Sequence, residues 1–197
     1  MTPDEVLELL RRSDAYRTGH FRLSSGLHSD RYFQCALALQ HPEVAERLGA
    51  AIAEFFRGKA AKVVVGPALG AVVLAHEVAR ALGARAIFTE RDGGAMTLRR
   101  GFRLEEGEPA LVVEDVVTTG GSVVEVIDVV RAAGATVAGV GAILQRGVPA
   151  SLEVALRPLA RVEAPAYAES DCPLCASGVP LEKPGSRPAA SRECRRA

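Results

Sequence analysis

The chain has 197 residues, of which 48% are hydrophobic and 24% are charged, and these fractions are ordinary for a globular domain. Its 24 lysines and arginines balance its 24 aspartates and glutamates, so no net charge favours a nucleic acid or a membrane surface as a partner. No apolar run is long enough for a membrane span, the acidic N-terminus is unlike a signal peptide, and four cysteines do not make a secreted disulfide framework. We therefore expect a cytoplasmic protein with one main domain.

The first 56 residues predict two helices on either side of a pair of short strands. Residues 3–12 carry apolar side chains at helical spacing after a Thr-Pro-Asp start signal, which predicts a short amphipathic helix. Residues 20–35 alternate polar and apolar positions around Ser24-Ser25-Gly26, which is typical of two strands or of a strand and a loop. Residues 42–56 begin with proline and place their apolar side chains on one face, which predicts a second helix.

From residue 63 onward, predicted strands and helices alternate. Strands are predicted at residues 63–65, 84–89, 111–113, 136–144 and 159–162, with helices ending near residue 82 and covering residues 122–133. This alternation predicts an α/β fold with a doubly wound, mostly parallel sheet flanked by helices, although the strand order cannot be read. Ligands of such sheets bind beyond the carboxyl ends of the strands, so the loops that follow the strands are expected to meet around one crevice.

Residues 90–109 form the longest predicted connection, at about 20 residues, and they are polar and punctuated by glycine. Connections of this length are usually lids or binding loops, so we expect this segment to cover a site.

The centre of the chain, residues 111–122, reads LVVEDVVTTGGS. Glu114 and Asp115 follow three apolar residues, and hydroxyls and glycines then lead into a helix, whose free N–H groups and dipole favour an anion such as phosphate. The glycines lack the lysine of a Walker A loop and the spacing of a dinucleotide fingerprint. The alternative is an ordinary strand-to-helix turn in which Ser122 caps the helix and the two acids are simply exposed to solvent.

The same twelve residues resemble the phosphoribosyl-pyrophosphate signature of type I phosphoribosyltransferases, with four mostly apolar residues, two acids, two apolar residues and then Thr-Thr-Gly-Gly-Ser. The resemblance implies that the loop holds the 5′-phosphate, that Glu114 and Asp115 hold the ribose hydroxyls, and that Mg²⁺ lies near Asp115, bound mainly through substrate oxygens. Both acids thereby become candidate catalytic residues, because a prepositioned carboxylate stabilises the cationic ribose of the transition state. The implied site for 5-phosphoribosyl 1-diphosphate at the signature comprises Glu114, Asp115, Val116, Val117, Thr118, Thr119, Gly120, Gly121 and Ser122.

Other segments resemble the orotate phosphoribosyltransferases within that family. The resemblance covers roughly residues 3–165 and rests on Phe21–Gly26 followed by a serine and an aromatic pair, on Gly66–Gly70, and on an arginine after a strand. It implies transfer of phosphoribosyl to orotate, giving orotidine 5′-monophosphate in pyrimidine biosynthesis. Ala68, Leu69 and Gly70 would contact the diphosphate, and the implied orotate contacts are Ser24, Tyr32, Phe33, Thr118 and Arg146. A guanidinium suits this role because its donors form a rigid fork that matches a carboxylate.

The chain departs from the family pattern at its cations. Ser24 stands where the family usually has a lysine, and residues 89–103 contain neither the lysines nor the histidine of the family's mobile loop. The candidate catalytic cations are Arg91, Arg99 and Arg100, which can neutralise diphosphate but cannot donate a proton at neutral pH. A solvated charged loop is the alternative. In the family this loop closes over the neighbouring subunit's site, which implies a homodimer.

The resemblance also implies a phosphoribosyltransferase domain at residues 1–165, with a small hood at about 1–40 and an α/β core at about 41–165. An extension follows at residues 166–197, and the composition of its last 13 residues predicts poor order. Cys172 and Cys175 have metal-ligand spacing, with Cys194 as a possible third ligand and no evident fourth, so free thiols or a small knuckle are favoured over zinc. The four histidines show no paired spacing. Surface solvation is favoured for His28, and a substrate contact through its loop is the alternative.

Two other functions stay open. One is a purine or uracil phosphoribosyltransferase of the same fold. The other is a non-catalytic regulator that senses phosphoribosyl pyrophosphate, a hypothesis that rests on the lysine-free loop.

Overall fold

The computed structural model describes residues 1–147 and 152–184. The strands within these ranges are β1 (Tyr16–Arg22), β2 (His28–Phe33), β3 (Val63–Pro67), β4 (Arg85–Asp92), β5 (Ala95–Leu98), β6 (Pro109–Val117), β7 (Thr136–Arg146) and β8 (Leu156–Val162). The helices are α1 (Pro3–Arg12), α2 (Ala36–Leu39), α3 (Pro42–Glu54), α4 (Val72–Leu82), α5 (Gly121–Ala132) and α6 (Pro173–Ala176). None of the helices in these ranges is long and apolar enough to cross a membrane.

Six of the strands form one sheet in the order β5-β4-β3-β6-β7-β8. All neighbours are parallel except β5, which pairs antiparallel with β4 at one edge. The chain enters the sheet at β3, adds β4 on one side, and then continues with β6 on the other side. The order of the strands therefore reverses between β3 and β6, and this is the position at which open α/β sheets bind their ligands.

The sheet is covered on both faces, as the sequence predicts. Helices α3 and α4 pack on one face and α5 on the other. Along β3 the side chains alternate between these two cores: Val64 joins the first, Val63 and Val65 join the second, and all three are fully buried. Each such valine contributes on the order of 1.5–3 kcal/mol relative to an exposed one, so β3 is firmly held at the centre.

The N-terminal segment forms a smaller layer beside the sheet. Helix α1 begins at a capping box in which Thr2 and Glu5 exchange hydrogen bonds, and a cap of this kind stabilises a helix by about 1 kcal/mol. Its apolar face, Val6 and Leu10, is fully buried and packs near β8. The β1–β2 hairpin follows and pairs with no other complete strand among the described residues.

Two elements differ from the sequence-based prediction. Strand β6 continues to Val117, so Glu114 and Asp115 lie inside the strand and not beyond its end. Residues 90–109 are not a single loop, because β4 runs on to Asp92 and turns through Gly93 and Gly94 into β5. Both glycines have positive φ, 57° and 90°, which a two-residue hairpin turn requires.

Candidate active site

The two acids of the central stretch lie at the carboxyl end of β6. Glu114 is 8% exposed, and Asp115 is half-buried. Each carboxylate accepts a hydrogen bond from the backbone N–H of the next residue, at 3.2 Å for Glu114 and 2.7 Å for Asp115. The pair is thus tied to the strand, and its position is set by the buried part of β6 that precedes it.

The two acids differ in charge. Burial, and secondarily the neighbouring Asp115 carboxylate, raise the pKa of Glu114 to about 9. Glu114 therefore holds a proton at neutral pH in the free protein and can donate a hydrogen bond. The pair presents one carboxylate and one carboxyl to the crevice, a combination that can bind the hydroxyls of a sugar as donor and acceptor.

The loop after β3 touches these acids. A Cβ atom placed on Gly70 would lie 2.9 Å from Asp115 Oδ2, so only glycine allows this approach. The backbone N–H of Ala68 donates to the carbonyl of Thr89, at 2.8 Å, which fixes the loop to β4. Leu69 follows a cis peptide and is 87% exposed. The loop predicted to contact diphosphate therefore borders the acid pair at the position where the strand order reverses.

Residues 118–122, which comprise the connection from β6 and the start of α5, line a small concavity together with Glu114. Gly120 caps the helix with a φ of 84°, a left-handed conformation that glycine adopts without strain. Among the described residues, the backbone N–H groups of Thr118, Thr119 and Gly120 have no hydrogen-bond partner. Free N–H groups at a helix N-terminus bind anions, so the concavity can hold a phosphate beside the acids.

Arg146 ends β7 and lies on the strand next to β6, one position past the pair Val117–Gln145. Its Nη2 donates to Ser29 Oγ at 3.3 Å, and Ser29 Oγ in turn donates to the carbonyl of Pro165 at 2.8 Å. Burial lowers the pKa of the Arg146 guanidinium, and the charge of Asp30 opposes this shift. This contact brings the β1–β2 hairpin to the edge of the crevice.

The other residues predicted to contact orotate are spread over the N-terminal layer. Ser24 lies at the exposed turn between β1 and β2. The Phe33 ring stacks on Tyr16 at 4.8 Å, and the Tyr32 hydroxyl donates to Gln34 Oε1 at 3.0 Å. No described contact joins these three residues to the acid pair.

Cys35 is a residue of the site that sequence reasoning did not single out. It is 1% exposed, and burial, followed by the charges of Asp115 and Glu114, raises the pKa of its thiol well above the usual value. The end of the hairpin segment therefore lies beside the acids. A lone cysteine in a sequence carries no signal of this kind, because its neighbours are set by tertiary contacts.

The candidate cations lie on or next to the β4–β5 hairpin, and each has an acidic partner. Arg91 pairs with Glu125 of α5, with 2.7 Å between Nη2 and Oε2. Arg100 forms a two-pronged pair with Glu90, at 2.7 and 2.8 Å, and Arg99 lies 3.8 Å from Asp92. The Arg91–Glu125 pair places one cation beside the first turns of α5, close to the concavity.

The expectations for the histidines were wrong. His20 and His28 are 2% and 1% exposed, and their rings contact each other at 3.0 Å between His20 Nε2 and His28 Nδ1. Both also contact the Cys172–Cys175 pair. Spacing along the sequence gave no signal because the hairpin register and a long-range contact create this cluster. Cys194 and the predicted disorder of residues 185–197 lie outside the described residues.

Comparison with known proteins places this geometry in a family. The profile of the family described as "Phosphoribosyl transferase domain" matches residues 38–156, which contain the reversal point of the sheet and the acid pair. The crystal structure of an orotate phosphoribosyltransferase from Aeropyrum pernix superimposes with a TM-score of 0.69 at 25% identity, covering 80% of this chain and 93% of that chain. The chain therefore belongs to the phosphoribosyltransferases, and its fold is theirs.

Two curated relatives narrow the class further. A protein named orotate phosphoribosyltransferase from Pelotomaculum thermopropionicum is 53% identical over 188 residues, which is 95% of this chain and 99% of the relative. A second, from Desulforamulus reducens, bears the same name and is 48% identical over 95% of this chain and 98% of its own length. The chain belongs to the orotate phosphoribosyltransferase family.

Proposed function

We propose that this protein transfers the phosphoribosyl group of 5-phosphoribosyl 1-diphosphate to orotate, forming orotidine 5′-monophosphate and diphosphate. One observation carries the proposal: an acid pair, a loop with free N–H groups and a half-buried arginine lie together at one end of the sheet. Together these groups can hold a sugar, its phosphate and a carboxylated base.

Each part of the substrate is held by a different group of residues. Thr118–Ser122 hold the 5′-phosphate through backbone N–H groups and hydroxyls, with the dipole of α5 adding favourable potential. Asp115 and Glu114 face the ribose hydroxyls, and the Asp115 carboxylate stabilises positive charge on the sugar as the bond to diphosphate breaks. Because the acids are fixed to β6 before substrate arrives, no reorganisation is needed at that moment.

The site also fits Mg²⁺. Asp115 offers a hard oxygen donor at the mouth of the crevice beside the diphosphate loop, and Mg²⁺ is bound in proteins through one or two carboxylates together with substrate phosphates. When bound, the ion would neutralise charge on the diphosphate and orient it against the ribose.

Arginines supply the remaining positive charge. Arg91, Arg99 and Arg100 neutralise the leaving diphosphate electrostatically, since a guanidinium does not give up a proton at neutral pH. The backbone of Ala68–Gly70 binds the same diphosphate from the other side. Arg146 pairs with the orotate carboxylate, and the accompanying contacts come from Ser24, Tyr32, Phe33 and Thr118.

The proposal extends to the organisation of the protein. Residues 1–40 and the extension from residue 166 act as a hood over a core at 41–165. The protein acts in the cytoplasm as a homodimer in which the β4–β5 hairpin and the residues after it close over the neighbouring site. The position of all three candidate cations on or beside one exposed edge hairpin supports this arrangement.

One experiment tests the activity and its two alternatives. The protein, Mg²⁺ and 5-phosphoribosyl 1-diphosphate are incubated with orotate, uracil, adenine or hypoxanthine, and nucleotide is measured by chromatography. We expect nucleotide with orotate alone, and no nucleotide above background from Asp115→Asn protein. Nucleotide from a different base would replace orotate as the substrate, and none from any base would favour a regulator.

A further inference from the structure

Four side chains that the proposed reaction does not use meet at the interface between the β1–β2 hairpin and the C-terminal segment. They are His20 of β1, His28 of β2, and Cys172 and Cys175, which bracket the start of α6. One nitrogen or sulfur atom of each lies within 4.8 Å of all the others. Residues far apart in sequence thus bring two imidazoles and two thiols to one point.

Four distances within the cluster lie close to the edges of a metal-centred tetrahedron. Zinc bonds to sulfur and nitrogen imply edges of about 3.3 Å between two nitrogens and about 3.5 Å between nitrogen and sulfur. His20 Nε2 lies 3.5 Å from Cys172 Sγ and 3.6 Å from Cys175 Sγ. His28 Nδ1 lies 3.2 Å from Cys175 Sγ and 3.0 Å from His20 Nε2. An ion at the centre requires only modest adjustments of these side chains.

The backbone orients one of the rings for metal binding. His20 Nδ1 lies 2.8 Å from the carbonyl oxygen of Val179, and a carbonyl can only accept, so Nδ1 carries the proton. The lone pair is then on Nε2, which faces the two sulfurs. A ligating histidine typically donates its other N–H to a carbonyl or a carboxylate in this way, which fixes both tautomer and ring orientation.

The donor set selects the ion. Two thiolates and two imidazoles favour Zn²⁺ and disfavour Mg²⁺, which prefers oxygen. With four protein ligands no position is left for water or substrate, so such a site is structural. We propose that His20, His28, Cys172 and Cys175 bind a structural Zn²⁺ that fastens the C-terminal segment to the hairpin.

The surrounding backbone explains what the ion would stabilise. A two-stranded hairpin is at best marginally stable alone. Here the C-terminal segment flanks both of its strands: Tyr167 bridges to His28 and Glu182 to Phe21. Side-chain contacts add to these bridges: Ser29 Oγ donates to the carbonyl of Pro165, and His20 Nδ1 contacts the carbonyl of Val179. The ion pair of Arg17 with Glu182 is exposed and contributes little. A metal at the centre of this arrangement joins segments about 150 residues apart in the sequence, where the constraint on the unfolded chain is large.

Metal analysis of the full chain provides the first test. Protein purified without chelator and dialysed against metal-free buffer is expected to contain about one zinc per chain. After exchange with Co²⁺, the visible bands of tetrahedral cobalt bound to thiolate should appear. A zinc content below about 0.1 per chain together with no such bands would overturn the proposal, as would a Cys172–Cys175 disulfide in freshly purified protein.

Matched variants identify the ligands. Cys172→Ser and His20→Ala should each lower the zinc content at least about tenfold, whereas His76→Ala, which changes an exposed histidine of α4, should retain it. Cys194→Ser should also retain it, and a loss of zinc from that variant would refute the ligand set. If the ligand variants do not fold, thermal unfolding of the wild-type protein still tests the proposal. A strong chelator should lower its Tm by at least about 5 °C, and added Zn²⁺ should restore it. An unchanged Tm would refute a structural role.

Discussion

At the scale of single residues, Glu114 is a buried acid whose pKa lies far from its value in water. Its folded pKa of about 9 lies above the ordinary value of 4.5, so the folded protein binds more protons than the unfolded chain between these pH values. The contribution of Glu114 to stability is therefore present at low pH and is lost as the pH rises from about 5 to about 9. The slope from this one group is at most about 1.4 kcal/mol per pH unit.

Replacement by glutamine should remove that slope. We expect the free energy of unfolding of Glu114→Gln, measured in urea without substrate, to fall less than that of the wild type between pH 6 and 8. Glu108→Gln is a suitable control: Glu108 is equally buried, but its hydrogen bond with Arg85 lowers its pKa, so its effect should be constant over this range. Parallel curves for the wild type and Glu114→Gln would show that Glu114 is ionised throughout.

Arg146 allows a test of the geometry of base recognition. Arg146→Lys keeps the charge but loses the fork, and we expect it to raise the KM for orotate about tenfold, whereas Arg146→Gln raises it about a hundredfold. The KM for 5-phosphoribosyl 1-diphosphate should change less than about threefold, because the contacts proposed for its phosphate and ribose lie at Glu114–Ser122. Equal effects on both substrates in steady-state kinetics would contradict the assignment. Ser29→Ala, which removes only the hydroxyl that holds Nη2, should cause a smaller change.

At the scale of elements, the β4–β5 hairpin determines where the candidate cations stand. Arg91 is bound to Glu125 in an exposed pair, with 51% and 41% of the two side chains accessible, and such pairs stabilise a fold by at most about 1 kcal/mol. Arg91→Ala should therefore leave the Tm almost unchanged and lower kcat about a hundredfold, the scale on which one preorganised charge acts. Glu125→Gln breaks the same pair but keeps the cation, so its kcat should stay close to that of the wild type.

The second pair of cations has its own control. Arg99→Ala combined with Arg100→Ala should likewise lower kcat with little change in thermal stability. Glu90→Gln removes the two-pronged partner of Arg100 without removing the charge, and its turnover should be retained. If both arginine variants turn over at the wild-type rate, the hairpin and the residues after it have no part in leaving-group stabilisation.

The elements show what periodicity can and cannot reveal. Helices α1, α3 and α5 and strand β7 were predicted close to their observed bounds, because capping residues, apolar stripes and a continuous apolar run are local signals. Strand β5 was missed although Asp92-Gly93-Gly94 is a hairpin signal, since the polar composition of the segment favoured a loop. The extension of β6 to Val117 was missed because an acid pair in a strand depends on burial by other elements.

The positions of the candidate site residues could be predicted in part. The acids, the loop before α5 and Arg146 were expected at one crevice because they follow the carboxyl ends of strands, whereas the roles given to them come from the family resemblance and stay predictions. Cys35 and the His20–His28 contact could not be identified, since both depend on how the hairpin lies on the rest of the molecule.

At the scale of the whole molecule, the strand order explains why residues from four separate segments meet. Residues 68–70 follow β3, and residues 114–122 span the end of β6 and the start of α5. Strands β3 and β6 are neighbours at the reversal of the sheet. Arg146 ends the next strand, and the hairpin reaches it through Ser29. The β1–β2 hairpin therefore borders the crevice on the side of Arg146.

The proposed exchange of hairpin loops between subunits can be tested by mixing two inactive proteins. Asp115→Asn inactivates the site of its own subunit, whereas the Arg91→Ala, Arg99→Ala, Arg100→Ala variant inactivates only the site that its hairpin covers. If the hairpin acts on the neighbouring subunit, a mixed dimer has one site with intact acids from one chain and intact arginines from the other. If the hairpin acts on its own subunit, a mixed dimer has no complete site. Recovery of activity on mixing therefore distinguishes the two arrangements.

In a dimer of the two variants, the intact Asp115 belongs to the chain with altered arginines, and the intact arginines belong to its partner. Acting across the interface, they complete one site. Random reassortment makes about half of the dimers mixed, each with one of two sites restored, so the mixture should recover about one quarter of the wild-type activity. Each variant taken alone through the same dissociation and reassociation should stay inactive. A hairpin that serves its own subunit leaves every site with one defect, and the mixture would then recover nothing.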